Sequence, residues 1–413
     1  MSNNLKTEKI ITRYWDQIDP LNVDSYVKKG GYLALRKVIR EISEDQAVGE
    51  VKKSGLRGRG GAGYPAGEKW EMARKNKNKK RVVIANLDES EPGNFKDRIL
   101  AEKNPHQLLE GLAIASFAVG AKQAFIYLNG NFSLAKKVLA KAIEQANKRN
   151  FLGRNVWGSY FDLEVQLFVG AGAYICGEET ALINSMEGRR GEPSGKPPFP
   201  CDCGLAGNPT VVNNAETLAN LPWIIQNGGE KFAQIGMKDS TGTKLFSIDG
   251  AVKRPGLYEA PMGTTLRELI SEYAGGLSAG SEFWFAQIGG SSGHLAPAAF
   301  LNEIPSYSPN SKLPVGSGSV LVVDKNRRIE EILYSWISFF CRESCGKCVP
   351  CREGTFRLKI LAERLKKGIF DSNDWEDMEK ILWVLENTTF CALGKFAAVA
   401  WRDAIKFGFL KKK

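Results

Sequence analysis

Residues 81–89 read RVVIANLDE, and this stretch decides the fold class. Val82, Val83 and Ile84 form an unbroken β-branched run that ends at Asn86, Asp88 and Glu89. A short continuous apolar run of this kind fits a strand buried on both faces of a parallel sheet. Working outward, residues 106–120 carry a helical apolar pattern, and AFIYLNG at 124–130 reads as a second strand. A helix from about Ser133 to Lys148 follows, then a third strand, LEVQLFVG, at 163–170. AGAYICGEETALINSMEG starts as a loop and becomes a helix. The alternation of strands and helices predicts an α/β layer architecture. Upstream, GLRGRGGAGYPAGEKW at 55–70 is a glycine-rich loop. Residues 1–54 read as polar helices, one in YLALRKVIREI and one from about Asp45 to Lys53 that stops at Gly55. Downstream, the pattern changes after Asn227-Gly228-Gly229. KLFSIDGAVKRPGLYEAPMGTTLRELI gives two short strands, a turn and a helix, and GSVLVVD at 318–324 a further strand. The chain after Arg328 looks wholly helical. The expected division is an N-terminal helical segment (1–54), an α/β domain (55–240), a small α+β domain (241–326) and a helical domain (327–413).

Composition narrows the function classes. The 413 residues include 57 basic and 46 acidic side chains, a net charge of +11. That charge suits a nucleic acid, an acidic partner or a phosphorylated ligand without choosing among them. No segment interleaves basic and aromatic residues as a nucleic-acid motif does, so no nucleic acid is expected. The two histidines, His106 and His294, leave little for a multi-His metal site, and no GxSxG elbow is present. No uncharged apolar run reaches about 18 residues. The nearest, Gly111 to Ala121, lies between Glu110 and Lys122 and reads as a buried helix. MSNNLKTEKIITRYWDQ lacks the pattern of a signal peptide. A cytoplasmic protein without direct membrane insertion is expected. KNKNKK at 75–80 and the terminal lysines read as solvated charge.

Among eight cysteines, Cys345-x-x-Cys348-x-x-Cys351 is the strongest local signal. Three thiolates at this spacing can wrap one face of a cubane cluster, and Cys391 is available as a fourth ligand. A structural zinc on four thiolates is the plainer alternative, although zinc ribbons usually show two separated CxxC pairs. Gly346 and Lys347 fit a tight loop whose amides and cation face a negative cluster. Cys341 and Cys176 read as packing residues, and the Cys201/Cys203 pair as loop thiols.

Gly58-x-Gly60-x-x-Gly63 matches GxGxxG, but a helix precedes it and Pro65 follows, which departs from the dinucleotide fingerprint. Its glycines still permit close approach to a planar or phosphorylated ligand, with Arg57, Arg59 and Lys69 supplying charge. Asn86, Asp88, Glu89 and Glu91 follow a strand, where α/β proteins place ligands. GAGAYICGEET repeats that pattern with Glu178 and Glu179, GEPSGKPPFP offers Lys196 and Phe199, and Asn213 and Asn214 stand at an expected helix start where they can cap it.

Together, SGLRGRGGAGYPAGEKW, NLDESEPGNFKDR, GAGAYICGEETAL, KPPFP, VVNN and ESCGKCVPCREGT with the later Cys391 resemble one family. The chain is similar to the NADH-oxidising, FMN-binding subunits of respiratory complex I from about Tyr26 to about Ala398. The resemblance implies a Rossmann-like FMN domain, a β-grasp-like domain and a helical bundle carrying a [4Fe–4S] cluster. It implies FMN contacts from Gly58, Arg59, Gly60, Gly61, Ala62, Gly63, Lys69, Asn86, Asp88, Glu89, Tyr174, Gly177, Glu178, Asn213 and Asn214. NADH would meet Tyr64, Lys69, Glu91, Glu179, Lys196 and Phe199, with Glu179 accepting from the adenosine ribose and repelling a 2′-phosphate. The cluster would sit on Cys345, Cys348, Cys351 and Cys391. The implied activity is hydride transfer from NADH to FMN, then single electrons to the cluster and onward toward quinone, with no catalytic acid or base from the protein. Implied partners are a small [2Fe–2S] thioredoxin-like subunit and a larger iron–sulfur subunit, at the inner face of the cell membrane.

Five positions depart from the family pattern: Tyr64 replaces a Phe, Met72 stands where a second aromatic is expected, and CDCGLAGN brings Cys201, Cys203 and Ala206. Flanking thioredoxin-like and ferredoxin domains, found in related hydrogenase subunits, are not seen in the sequence, which favours the complex I type. A diaphorase subunit of a soluble NAD-linked hydrogenase or formate dehydrogenase is the alternative within the same chemistry. A colourless, zinc-stabilised scaffold is the alternative outside it.

Overall fold

The computed structural model describes residues 8–77 and 80–412. Three helices, α1 (Val23–Val27), α2 (Leu33–Glu41) and α3 (Glu44–Ser54), lead to the glycine loop and to α4 (Ala66–Lys75). A reciprocal pair of Ser43 and Gln46 hydrogen bonds starts α3, and Gly55 ends it. The α/β unit follows as β1 (Arg81–Leu87), α5 (Lys96–Lys103), α6 (Pro105–Val119), β2 (Ala121–Leu128), α7 (Ser133–Lys148), β3 (Glu164–Val169), α8 (Glu179–Met186), β4 (Thr210–Asn214), α9 (Ala215–Ala219), α10 (Leu221–Asn227) and α11 (Gly229–Ala233). Its sheet is parallel throughout, in the order β3-β2-β1-β4.

The fourth strand is not expected from the sequence. Thr210–Asn214 extends beside β1, pairing Val82 with Thr210 and Asn86 with Asn214. Because β2 and β3 lie on one side of β1 and β4 on the other, the strand order reverses between β1 and β4. Ligands of open α/β sheets bind at the carboxyl ends of the strands at such a reversal.

Period-two alternation divides the sheet residues between two cores. Val83, Ala85 and Leu87 of β1 pack with the N-terminal helices and α6. Val82 and Ile84 face the opposite core, with Ile175, α8 and the C-terminal helices. The expected boundary at residue 54 is not marked by a break in packing, since Leu35, Val38 and Val51 share the core of the sheet. The backbone N–H groups of Ile10, Ile11 and Thr12 all donate to the Glu259 carboxylate. The apolar run in α6 is a buried helix, and Glu110 within it accepts from Tyr26 Oη (2.6 Å) and the Leu35 N–H (3.1 Å).

A two-stranded ribbon, β5 (Gly236–Met237) with β6 (Ser240–Thr241), leads into the second sheet. That sheet contains β7 (Thr243–Gly250), β8 (Gly256–Pro261), β9 (Phe283–Ile288), β10 (His294–Pro297) and β11 (Ser319–Asp324) in the order β10-β9-β11-β7-β8, with the one-turn α12 (Leu266–Glu268). The β9–β10 hairpin adds two strands to those read from the sequence. The chain ends in four helices, α13 (Ile329–Glu343), α14 (Val349–Lys366), α15 (Ser372–Thr388) and α16 (Ala392–Lys406). Among the described residues no helix is long and apolar enough to cross a membrane.

Candidate functional site

The glycine loop closes over the β1/β4 reversal. The Gly58 N–H donates to the Tyr64 carbonyl (2.9 Å), and the Ala66 N–H to the Leu56 carbonyl (2.9 Å). A Cβ on Gly60 would lie 3.2 Å from the Asn214 Cβ, which puts the loop directly above the end of β4. Gly63 has φ +64°, and a Cβ there would lie 2.4 Å from the Tyr307 ring. Around Gly61 a Cβ would meet nothing within 4 Å, so this part of the loop borders open space. Ala62 is exposed beside it.

The two loop arginines do not present their charge there. Arg59 is fully buried, with its guanidinium 2.5 Å from the Thr241 carbonyl. Arg57 turns back to the Gly63 carbonyl (3.1 Å). Arg59 keeps two guanidinium nitrogens, Nε and Nη1, buried without a hydrogen-bond partner among the described residues. Lys69 is the one of the three that reaches the acidic loops.

At the end of β1, Asn86 bridges two loops: its Nδ2 donates to the Gly177 carbonyl (2.9 Å) and its Oδ1 accepts from the Asp88 N–H (2.9 Å). Asp88 is buried, and its Oδ2 has no hydrogen-bond partner among the described residues. Burial pushes its carboxyl up to about 7, against the Ser90 hydroxyl. An orphaned buried acceptor at this place fits a ligand that brings an N–H or O–H donor. Glu89 accepts from the Asp97 and Arg98 N–H groups and so holds the start of α5. Glu178 caps α8 by accepting from the Thr180 and Ala181 N–H groups, and Asn214 caps α9. Asn213 accepts from Trp70 Nε1 (2.8 Å). These side chains therefore fix the loops that bear the open surface.

The residues assigned to NADH gather around Glu179. Its two oxygens pair with Lys69 Nζ and Lys196 Nζ, each at 2.9 Å. Burial pushes this carboxyl up, but the two lysines outweigh that and hold it below its ordinary value. Tyr64 and Phe199 are both exposed, at 45% each, as stacking surfaces must be. Tyr64 Oη contacts Met72 Sδ at 3.4 Å, in place of the aromatic neighbour expected there. Glu91 lies apart from Glu179 in its contacts and is held by Ser292 of the second sheet. Cys201 is buried, 3.6 Å from the Lys69 carbonyl, and Cys203 is exposed.

Cys345, Cys348, Cys351 and Cys391 line one cavity with Ile175, Pro193, Ser344, Lys347, Phe390 and Leu393. Cys348 immediately precedes α14 and Cys391 immediately precedes α16, so two sulfurs stand at helix N-termini that favour negative charge. Burial pushes the Cys351 thiol up to about 12, and Cys348, Cys391 and Cys345 add to this. Burial also raises the Cys391 thiol, opposed by the Leu393 N–H. A cationic group between the sulfurs would offset the burial of Cys351 and Cys391 and favour their thiolates. Among the described residues no three His, Cys, Asp or Glu side chains close on a single metal ion. Lys347 lines the cavity and donates to the Pro193 carbonyl (2.7 Å), while Arg190 and Arg352 hold the Cys345 and Gly346 carbonyls.

Residues 170–178 join the two sites. The Tyr174 N–H donates to Glu343 (2.9 Å), the last residue of α13, and its ring packs edge-on against Phe339 (5.0 Å). The adjacent Ile175 lines the cysteine cavity. Sequence reasoning missed Glu343, Ser344 and Ser292. It also missed a buried network under the glycine loop, where Lys244 Nζ contacts Glu216 (2.6 Å) and the Arg59 carbonyl (3.4 Å), and Lys96 contacts Asp97 (2.7 Å) and Glu216 (3.1 Å). No local motif announces these residues; only their burial as charged side chains does.

Comparison with known proteins agrees with this geometry. Residues 51–223 match the family described as the Nuo51 FMN-binding domain, 245–295 the SLBB domain, and 331–408 the NADH-ubiquinone oxidoreductase-F iron-sulfur binding region. The chain is 46% identical to the F subunit of the NADH-quinone oxidoreductase of Aquifex aeolicus, over 93% of this chain and 89% of that one. It is 41% identical to the Escherichia coli counterpart, over 98% and 93%. It is also 42% identical to the NADP-reducing hydrogenase subunit HndC of Solidesulfovibrio fructosivorans, over 94% and 80%. A solved chain of an NAD+-reducing [NiFe]-hydrogenase superposes with a TM-score of 0.85 at 34% identity, and this chain spans 66% of that one's length. The chain belongs to the family of FMN-binding, NADH-oxidising F subunits of NADH:quinone oxidoreductase.

Proposed function

We propose that this chain oxidises NADH at the glycine-loop face of its parallel sheet and passes electrons to the four-cysteine cavity. The chain is an FMN-dependent NADH dehydrogenase subunit with a [4Fe–4S] cluster. FMN, when bound, accepts two electrons as a hydride and releases them singly. The residues then have separate tasks. Gly58, Gly60, Gly61 and Gly63 give FMN a wall without side chains, and Asp88 offers its orphaned oxygen to a donor on the ring. Tyr64 and Phe199 take the adenine, and Glu179 takes the ribose hydroxyls while Lys69 and Lys196 hold it in place. Cys345, Cys348, Cys351 and Cys391 ligate the cluster, with the Leu393 N–H directed at one sulfur.

The observation that carries this reading is the short link, through residues 174–175, between the loops around Asp88 and the cysteine cavity. The chain acts as one subunit of a larger complex. A small [2Fe–2S] thioredoxin-like subunit and a larger iron–sulfur subunit are the proposed onward carriers, with quinone as the final acceptor and attachment to the inner face of the cell membrane through those partners. A diaphorase role in an NAD-linked hydrogenase is the second reading, supported by the likeness to HndC and to the hydrogenase chain. Electron paramagnetic resonance of the native complex frozen after NADH addition tests the first part. A reduced [4Fe–4S] signal that disappears in Cys351→Ala supports it; four-cysteine zinc with no flavin refutes it. Subunits that co-purify with the chain decide between the two complexes.

A further inference from the structure

The β9–β10 hairpin of the second sheet reaches into both other parts of the molecule. At its turn, the Ser292 N–H and hydroxyl both donate to Glu91 Oε1, at 2.9 and 2.5 Å. Gly290, at φ +85°, makes the approach possible: a Cβ there would lie 2.3 Å from the Glu91 Cδ. The Tyr174 phenol is close enough to feel both Ser292 and the Glu91 charge. Two residues further on, His294 Nδ1 lies 3.0 Å from Asp403 Oδ2, and the Leu295 N–H donates to the same oxygen (2.9 Å). Asp403 belongs to α16, the helix that Cys391 precedes. The hairpin is thus pinned at its far side to the helix next to the cysteine cavity, and its free donors are aimed at Glu91. Nothing within the α/β unit itself supplies a hydrogen bond to that carboxylate among the described contacts.

We propose that Ser292 is a positioning residue for NADH oxidation, supplied by the second sheet, and that it acts by fixing the Glu91 carboxylate at the nucleotide site. This rests on the reading of Glu91 as an NADH-site residue. Without the hydroxyl, Glu91 is held by the backbone donor of residue 292 and is less firmly fixed, so NADH binding weakens while chemistry on bound NADH proceeds. Losing one hydrogen bond to this buried carboxyl group corresponds to about a 5- to 10-fold rise in KM.

The test uses the flavin- and cluster-loaded protein, with NADH varied and ferricyanide as electron acceptor. Ser292→Ala should raise the NADH KM by that factor with kcat within about twofold of the parent. Ser292→Thr, which keeps the hydroxyl, should restore it. In a Glu91→Gln background, itself raised in KM, adding Ser292→Ala should change little, since the serine acts through the glutamate. If Ser292→Ala fails to retain FMN, Ser292→Cys keeps the shape with a weaker donor and must show the same KM rise. An unchanged KM in the serine variants beside a raised KM in Glu91→Gln overturns the proposal and leaves Glu91 at the site. An unchanged KM in Glu91→Gln overturns the reading of Glu91 and the proposal with it. A fall in kcat at constant KM also overturns it.

Discussion

Glu179→Gln removes one charge from a cluster of four, Lys69, Lys196, Glu178 and Glu179, and keeps the side-chain shape. In the native protein the carboxylate sits between Lys69 and Lys196, each at 2.9 Å, with the three side chains between 20% and 31% exposed. NADPH differs from NADH by a 2′-phosphate that would lie beside this carboxylate. Two unit charges about 4 Å apart repel by about 4 kcal/mol at an effective dielectric of about 20. Partial exposure and the two lysines reduce that to about 2 kcal/mol, or about a 30-fold change in a rate ratio. The variant also frees Lys69 of its carboxylate partner, while Lys196 keeps Glu178 at 3.0 Å. We expect kcat/KM for NADPH to rise about 30-fold and that for NADH to fall a few-fold as the ribose hydroxyls lose a charged acceptor. The assay is initial-rate reduction of ferricyanide with each nucleotide. Burial raises the Glu179 carboxyl but the lysines lower it further, so it is ionised throughout the neutral range. Discrimination in the native protein should therefore be flat from about pH 7 to about pH 9, should weaken near about pH 6 as the 2′-phosphate takes up a proton, and should fade further on acidification through that lowered pKa. If Glu179→Gln loses activity with NADH and gains none with NADPH, the carboxylate is not the selector.

Three further outcomes follow from the packing. Gly63→Ala brings a Cβ to 2.4 Å from the Tyr307 ring, so it should cost about 1–3 kcal/mol in stability and lower FMN content on purification. Lys244→Met leaves Glu216, fully buried, with Lys96 as its nearest remaining cation, and should destabilise by about 3 kcal/mol, read as a lower urea midpoint. Cys391→Ala should abolish the iron–sulfur absorbance and signal while flavin is retained, because the FMN loops do not depend on that residue for their hydrogen bonds.

Much of the α/β unit was legible because its strands are short apolar runs and its helices keep strong periodicity. Ser133–Lys148 has the bounds read from the sequence. Strand β4 was not legible, since VVNNAET carries the residues of a helix start and only pairing with Val82–Asn86 makes it a strand. Strands β9 and β10 escaped for the same reason: Trp284 and Phe285 favour strand, but Gly289-Gly290 and Pro297 interrupt any clear alternation. At the site, the four cysteines were readable from spacing and the structure brings them to one cavity. The burial of Arg59 was not legible, because its one carbonyl acceptor, Thr241, stands far along the chain. Ser292 is 201 residues from Glu91, and no local pattern connects a serine in a GGSSG turn to a carboxylate at that distance.

The central claim is that one chain converts a two-electron donor into single electrons. Anaerobic titration of the flavin- and cluster-loaded chain with NADH, followed by visible absorbance, tests it most directly. FMN takes two electrons and the cluster one, so both bands should bleach together and the end point should fall at about 1.5 NADH per chain. An end point at about one NADH with the iron–sulfur band untouched, or no bleaching in a chain that holds both groups, would contradict it.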